Sequence, residues 1–65
     1  MPFNPERLKQ LREQHGLSQM KLANKVRMNW SIINRLESGA IKRPRFNNIE
    51  KLANFFKVNM ETFRK

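Results

Sequence analysis

Residues 16–39, GLSQMKLANKVRMNWSIINRLESG, constrain the fold more than any other part of the chain. Their apolar residues fall where two short helices joined by a tight turn must touch. Gly16 suits the left-handed conformation that closes a preceding helix, and Ser18 then accepts a backbone N–H to cap the next. The spacing predicts a helix from about Gln19 to Val26, with Leu22 and Val26 on its inner face and Ala23 small enough to let another backbone approach. Asn29 caps a second helix that runs to Ser38, buries Ile33 and Leu36, and stops at Gly39. Leu17 with Leu22, and Met28 with Ile33, stand five apart across a cap. That is the hydrophobic-staple spacing, which sets how a chain joins a helix.

The flanks extend the helical pattern. Asn4-Pro5-Glu6 supplies a cap, a proline at the first helical position and an acid in the first turn, so a helix is expected from Pro5 to about His15. Leu8 and Leu11 mark its inner face; Arg7, Lys9, Gln10 and Arg12 mark the wet one. Phe46, Ile49, Leu52, Ala53 and Phe56 recur at three- and four-residue spacing and predict a fourth helix over roughly 46–57. Val58-Asn59 repeats the staple and cap, with Val58 five before Phe63, and predicts a fifth helix from about Met60. Its abrupt end at Lys65 suggests a piece cut from a longer protein. No alternating apolar run argues for a strand, and no repeat, low-complexity tract or linker stands out. The expectation is an all-α, compact five-helix bundle forming one domain over residues 1–65, with the scattered methionines as core filling.

Composition narrows the partner. Fourteen Lys and Arg against five Asp and Glu give a formal net charge of +9, spread along the chain, so a polyanion is expected. The chain has no cysteine to form disulfides or bind metal as thiolate, and its 65 residues allow only a modest core. No apolar run reaches the ~18 residues of a membrane span, and the polar first residues carry no secretory pattern. A cytoplasmic protein without membrane attachment is expected. Catalysis is not: Ser18, Ser31 and Ser38 have only His15 as a base, and the chain has no aspartate to orient it. Neither a phosphate-cradling glycine loop nor a metal-ligand cluster is present, so no cofactor or metal is expected.

On the paired helices the chain resembles the phage repressor, Cro and XRE-type family of helix-turn-helix regulators. The resemblance rests on Gln19 opening the first helix, Ala23 at the small position, Ile33 and Leu36 on the second, and Leu36-Glu37-Ser38-Gly39 as its exit. It covers nearly the whole chain, and Lys42-Arg43-Pro44-Arg45-Phe46 is similar to one lambdoid repressor and Cro branch. It implies a lambda repressor-like fold and a homodimer bound to a two-fold site on double-stranded DNA, with the second motif helix in the major groove. Arg27 departs from the family, whose turn usually carries glycine. If φ is positive there, a non-glycine residue adds strain on the order of 1 kcal/mol, and the arginine suggests an extra phosphate contact.

The resemblance places Trp30, Ser31 and Arg35 at positions that touch bases, and all three lie off the stripe of Ile33 and Leu36. Arg35 has the paired donors that match O6 and N7 of guanine; its bland alternative is a solvated residue or phosphate clamp. Trp30 either lies against a thymine methyl or sugar, or folds back over the domain. Ile32 either touches a thymine methyl or packs against the fourth helix or a partner chain. Ser18 and Asn29 cap helices whose N-termini attract phosphate, and Gln19 stands beside the first of them. Lys42, Arg43 and Arg45 surround Pro44 in a loop expected along the DNA backbone, with Arg45 reaching toward a narrow minor groove. Arg12 and Glu37 are expected, by resemblance, to form a structural ion pair. Phe55 falls off the inner stripe and, with Val58 and Met60, is the expected dimer surface. Two rival functions remain: a DNA-binding antitoxin or restriction-system controller, and a protein–protein adaptor whose charge binds DNA nonspecifically. RNA fits less well, because sequence-specific RNA modules use aromatic sheets or single-strand grooves.

Overall fold

The computed structural model describes residues 2–65: four α-helices, α1 (Pro5–Gln14), α2 (Gln19–Val26), α3 (Trp30–Ser38) and α4 (Phe46–Phe56), then a 3₁₀ turn, Met60–Phe63. Four of these five elements start on a polar side chain that accepts a first-turn N–H. Asn4 accepts from Arg7 at 3.2 Å, Ser18 from Lys21 at 3.1 Å, Asn29 from Ser31 at 2.9 Å and Asn59 from Glu61 at 2.9 Å. The exception is α4, whose N-cap position holds Arg45 and has no side-chain cap.

All four α-helices close on a residue with left-handed backbone: Gly16 (φ 67°), Arg27 (φ 57°), Gly39 (φ 84°) and Lys57 (φ 57°). After α1, the N–H groups of Gly16 and Leu17 donate back to the carbonyls of Glu13 and Arg12 at 2.9 and 3.1 Å, which satisfies oxygens the helix leaves open. Met28 to Ala23 at 2.9 Å and Val58 to Ala53 at 3.0 Å repeat the device after α2 and α4.

The expectation of no internal repeat is corrected here. Lys21-Leu22-Ala23-Asn24 recurs as Lys51-Leu52-Ala53-Asn54, and Val26-Arg27-Met28-Asn29 is answered by Phe56-Lys57-Val58-Asn59. The two units turn at φ 57°, ψ 47° and φ 57°, ψ 46°, and each passes into an extended asparagine cap. Beyond the shared tetrapeptide, the likeness lies in cap, turn and staple roles rather than identical residues, which conceals it in the sequence.

The core gathers one stripe from each element: Leu8; Leu22, Ala23 and Val26; Ile33 and Leu36; Ile49, Leu52, Ala53 and Phe56; and Phe63. Phe3 joins it from the N-terminal segment, stacked on Phe63 with ring centroids 5.6 Å apart. Around that stack Asn4 N–H donates to the Phe63 carbonyl at 2.7 Å, Lys65 N–H donates to Pro2 at 3.1 Å, and Phe3 pairs with Arg64 in an isolated antiparallel bridge. Within the core α3 packs on both α1 and α2, while α4 packs on α2 and the 3₁₀ turn.

Three expectations change. The fifth helix is a 3₁₀ turn, because Arg64 goes extended to pair with Phe3; the short bonds Thr62 to Asn59 (2.9 Å) and Arg64 to Glu61 (3.0 Å) frame it. Phe46 is not on the inner face: it stands at the first position of α4, 62% exposed, and the core begins one turn later at Ile49. Met20 is 57% exposed rather than core filling, since it falls outside the stripe of Leu22, Ala23 and Val26. Met28 and Met60 are partly buried against the core, and Met1 lies outside the described residues.

Left-handed Arg27 and Lys57 carry strain that glycine would not. Arg27→Gly and Lys57→Gly are each expected to stabilise the domain by about 0.5–1 kcal/mol, net of the greater unfolded-chain freedom of glycine. Thermal melts followed by circular dichroism should then rise by a few degrees. A lower melting temperature would mean that packing of these side chains outweighs the strain.

Candidate nucleic-acid interface

The start of α2 and the start of α3 are prepared in the same manner. Ser18 uses an oxygen lone pair to cap α2, which leaves its hydroxyl hydrogen unassigned to any protein acceptor among the described residues. Asn29 Oδ1 accepts twice, from the Ser31 N–H at 2.9 Å and the Ser31 hydroxyl at 3.0 Å, and so its amide NH2 is left as a donor. Both helix starts therefore offer a side-chain donor beside open backbone N–H groups, the arrangement that holds a phosphate. Ser31, its proton already committed, has acceptor lone pairs to offer.

Trp30 opens α3 and is 45% exposed. Arg35, one turn later, is exposed, and its guanidinium makes no hydrogen bond or ion pair among the described residues. Ile32 is half-buried against the core and lines a groove with Ile41, Arg43, Pro44, Arg45 and Asn48, so it packs toward the loop before α4. Met20 and Phe46 add exposed apolar surface at the starts of α2 and α4. Both depart from the interior positions expected of them, and the place of Met20 off the apolar stripe of α2 is the sequence signal of its exposure.

The loop is tied to the end of α3. The Arg35 carbonyl accepts from the Ala40 N–H at 3.0 Å and from the Ser38 hydroxyl at 3.2 Å. Beyond this knot Lys42, Arg43 and Arg45 are exposed around a half-buried Pro44, without an ion pair among the described residues. An arginine at the α4 N-cap has no acceptor, so the positive end of that helix remains open to an anion. Arg27 is likewise exposed at the turn between α2 and α3.

Behind these surfaces runs a chain of polar contacts. Arg12 Nε donates to Glu37 Oε2 at 2.6 Å and Nη2 to Oε1 at 3.1 Å, while Nη1 donates to the Leu17 carbonyl at 2.7 Å. The side chains of Arg12 and Glu37 are 12% and 5% exposed. Donating to the Glu37 carboxylate raises the pKa of the Arg12 guanidinium above its ordinary value, against the opposing effect of burial. Gln19 continues the chain: its amide NH2 donates to Glu37 Oε1 at 3.0 Å, and its own oxygen accepts from Asn34 Nδ2 at 3.1 Å. The Gln19 side chain thus lies between α2 and α3, with one amide hydrogen left for a phosphate. Asn34 was not singled out from the sequence, since a polar residue between an apolar stripe and a wet face reads as solvated.

On another side, Phe55 is half-buried and packs edge-on against Phe56, with centroids 5.1 Å apart, and near His15 at 6.3 Å. Val58 and Met60 are partly buried beside the core. Among the described residues the only ion pairs are Arg12–Glu37 and Arg64–Glu61, no metal-ligand cluster occurs, and no helix is long and apolar enough to cross a membrane.

Residues 8–63 match the Helix-turn-helix family of Cro/C1 and XRE type. The chain belongs to that family. It is a DNA-binding helix-turn-helix regulator, with α2 and α3 as the motif. No curated protein matches it as a relative. In this helix-turn-helix domain the Arg12–Glu37 pair joins the element preceding the motif to the end of α3. Glu37→Ala should cost about 3 kcal/mol by stranding a largely buried guanidinium, a large share of the roughly 3–10 kcal/mol expected for a domain of this size. Urea denaturation measures it. A loss below about 1 kcal/mol would put the pair among ordinary surface ion pairs.

Proposed function

We propose that residues 1–65 form one DNA-binding unit of a repressor that binds a two-fold operator as a homodimer, with α3 in the major groove. The observation that carries this is the exposed Arg35, without a protein partner among the described residues, on a helix whose own start, like those of α2 and α4, is open to phosphate. Arg35 reads a guanine through its paired donors; Trp30 lies against a thymine methyl or sugar; Ser31 accepts from a base amino group. Ser18, Asn29, Arg27, Lys42 and Arg43 hold the backbone, with the remaining Gln19 hydrogen, and Arg45 reaches into a narrow minor groove.

Size supports a dimer. The longest extent of the domain is 26 Å, short of the roughly 34 Å between half-sites on one face of DNA. One copy covers one half-site, and the half-buried Phe55, Val58 and Met60 offer the surface on which two copies meet. Repression follows where such an operator overlaps a promoter, in the cytoplasm of a bacterium or of a phage-infected host.

Selection from a random duplex library should return a two-fold consensus, bound at least roughly a thousandfold better than scrambled DNA. Arg35→Ala should weaken binding to the selected duplex by about 1–3 kcal/mol and relax one position per half-site. Lys42→Ala should weaken all duplexes alike and lower the salt slope by about 1. Flat enrichment with binding that simply falls with salt would refute specific readout and leave charge alone acting.

A further inference from the structure

The contacts of Gln19 and Asn34 have no part in the base and phosphate roles described above, yet they join the two motif helices. Gln19 is the first residue of α2, and its single amide holds α3 at two points, Asn34 and Glu37. Those residues stand three apart on α3, about 4.5 Å along its axis. A helix held at one point can still turn about that point, whereas two attachments along one side resist rotation about its own axis.

The bonds also have a direction. Asn34 donates to Gln19, Gln19 donates to Glu37, and Glu37 is held by the Arg12 guanidinium. Turning the Gln19 amide over would set its oxygen against the Glu37 carboxylate, so the charged pair fixes the amide orientation and the amide fixes which partner position 34 must supply. At that position only a donor fits.

We infer that Asn34 is a positioning residue for DNA readout: through Gln19 it locks the rotation of α3, and with it the direction in which the adjacent Arg35 points. The inference rests on base readout by Arg35. A rotation of about 10° moves a side-chain tip some 5–6 Å from the helix axis by about 1 Å, more than the roughly 0.5 Å a preorganised site tolerates. Asn34 itself is half-buried, with its amide NH2 bonded to Gln19.

The test is a cycle of Asn34→Ala and Arg35→Ala in the full chain, measured on the library-selected duplex and on scrambled DNA at two salt concentrations, with thermal melts alongside. Asn34→Ala is expected to lower the preference for the selected duplex by about tenfold, within the span of one bidentate base contact. Affinity for scrambled DNA, the salt slope and the melting temperature should stay near wild type. The double variant should discriminate no worse than Arg35→Ala alone, because Asn34 acts through that residue. Asn34→Asp, an acceptor where a donor is needed, should lose preference as the alanine variant does.

Additive losses in the cycle would overturn the inference and make Asn34 a contact in its own right. Full preference in Asn34→Ala would overturn it too, as would a fall in scrambled-DNA affinity and melting temperature in step with the loss of preference. Failure of base readout itself is distinguishable, since the wild-type chain would then show no preference before any substitution is made, and the role of Asn34 would fall with it.

Discussion

The Arg12 guanidinium is the junction on which the arrangement of α1, α2 and α3 depends. Its fork donates to both oxygens of Glu37 in the last turn of α3, and its third nitrogen donates to Leu17 in the link between α1 and α2. Hydrophobic burial of Leu8, Leu22, Ile33 and Leu36 brings these helices together but is indifferent to small sliding and rotation. A planar fork facing a carboxylate is not. Replacing such a pair with apolar residues is often neutral or stabilising, so its distinctive contribution is geometric. It sets where the outer face of α3 looks.

Much of the fold was legible because its ends are written in local chemistry. Asn4, Ser18, Asn29 and Asn59 mark starts through acceptors that reach their own first turn, and Gly16 and Gly39 mark stops through left-handed backbone. Where the local mark is missing, legibility fails. Lys57 takes the same left-handed angle without being glycine, and nothing in an isolated lysine announces it. Periodicity placed Phe46 on the stripe of Ile49 and Leu52 because spacing gives the face of a helix but not where along it the core begins. The fifth element was misjudged for a tertiary reason, since pairing of Arg64 with Phe3 takes the chain out of helix.

The candidate site divides along the same line. Residues that act alone, such as an exposed arginine at Arg35 or capping residues at Ser18 and Asn29, are visible as residue types at helical positions. Residues that act through others are not: Gln19 reads as a phosphate ligand, and nothing in the sequence shows that its amide is also held between Glu37 and Asn34. Bonds between residues 15 and 18 positions apart follow from how two helices cross, which no pattern within either helix states. The charge of +9 is the opposite case, being plain from composition. It bears on attraction to DNA of any sequence and carries no information about which sequence is read.

The repeated Lys-Leu-Ala-Asn units show how far local sequence carries a function. Each builds the same helix end, the same left-handed turn on a basic residue and the same asparagine cap. After the first, Ile33 and Leu36 lie four and seven residues beyond the cap, and α3 is buried against α1 and α2 for two turns. After the second, Phe63 alone is buried, stacked on Phe3, and the chain leaves in extended form. A cap and a turn begin a helix in both places, but only an apolar stripe with somewhere to pack prolongs it far enough to carry Trp30, Ser31 and Arg35 on its other face. The capacity to present an exposed reading face therefore resides less in the turn that names the family than in the buried side of the helix that follows it.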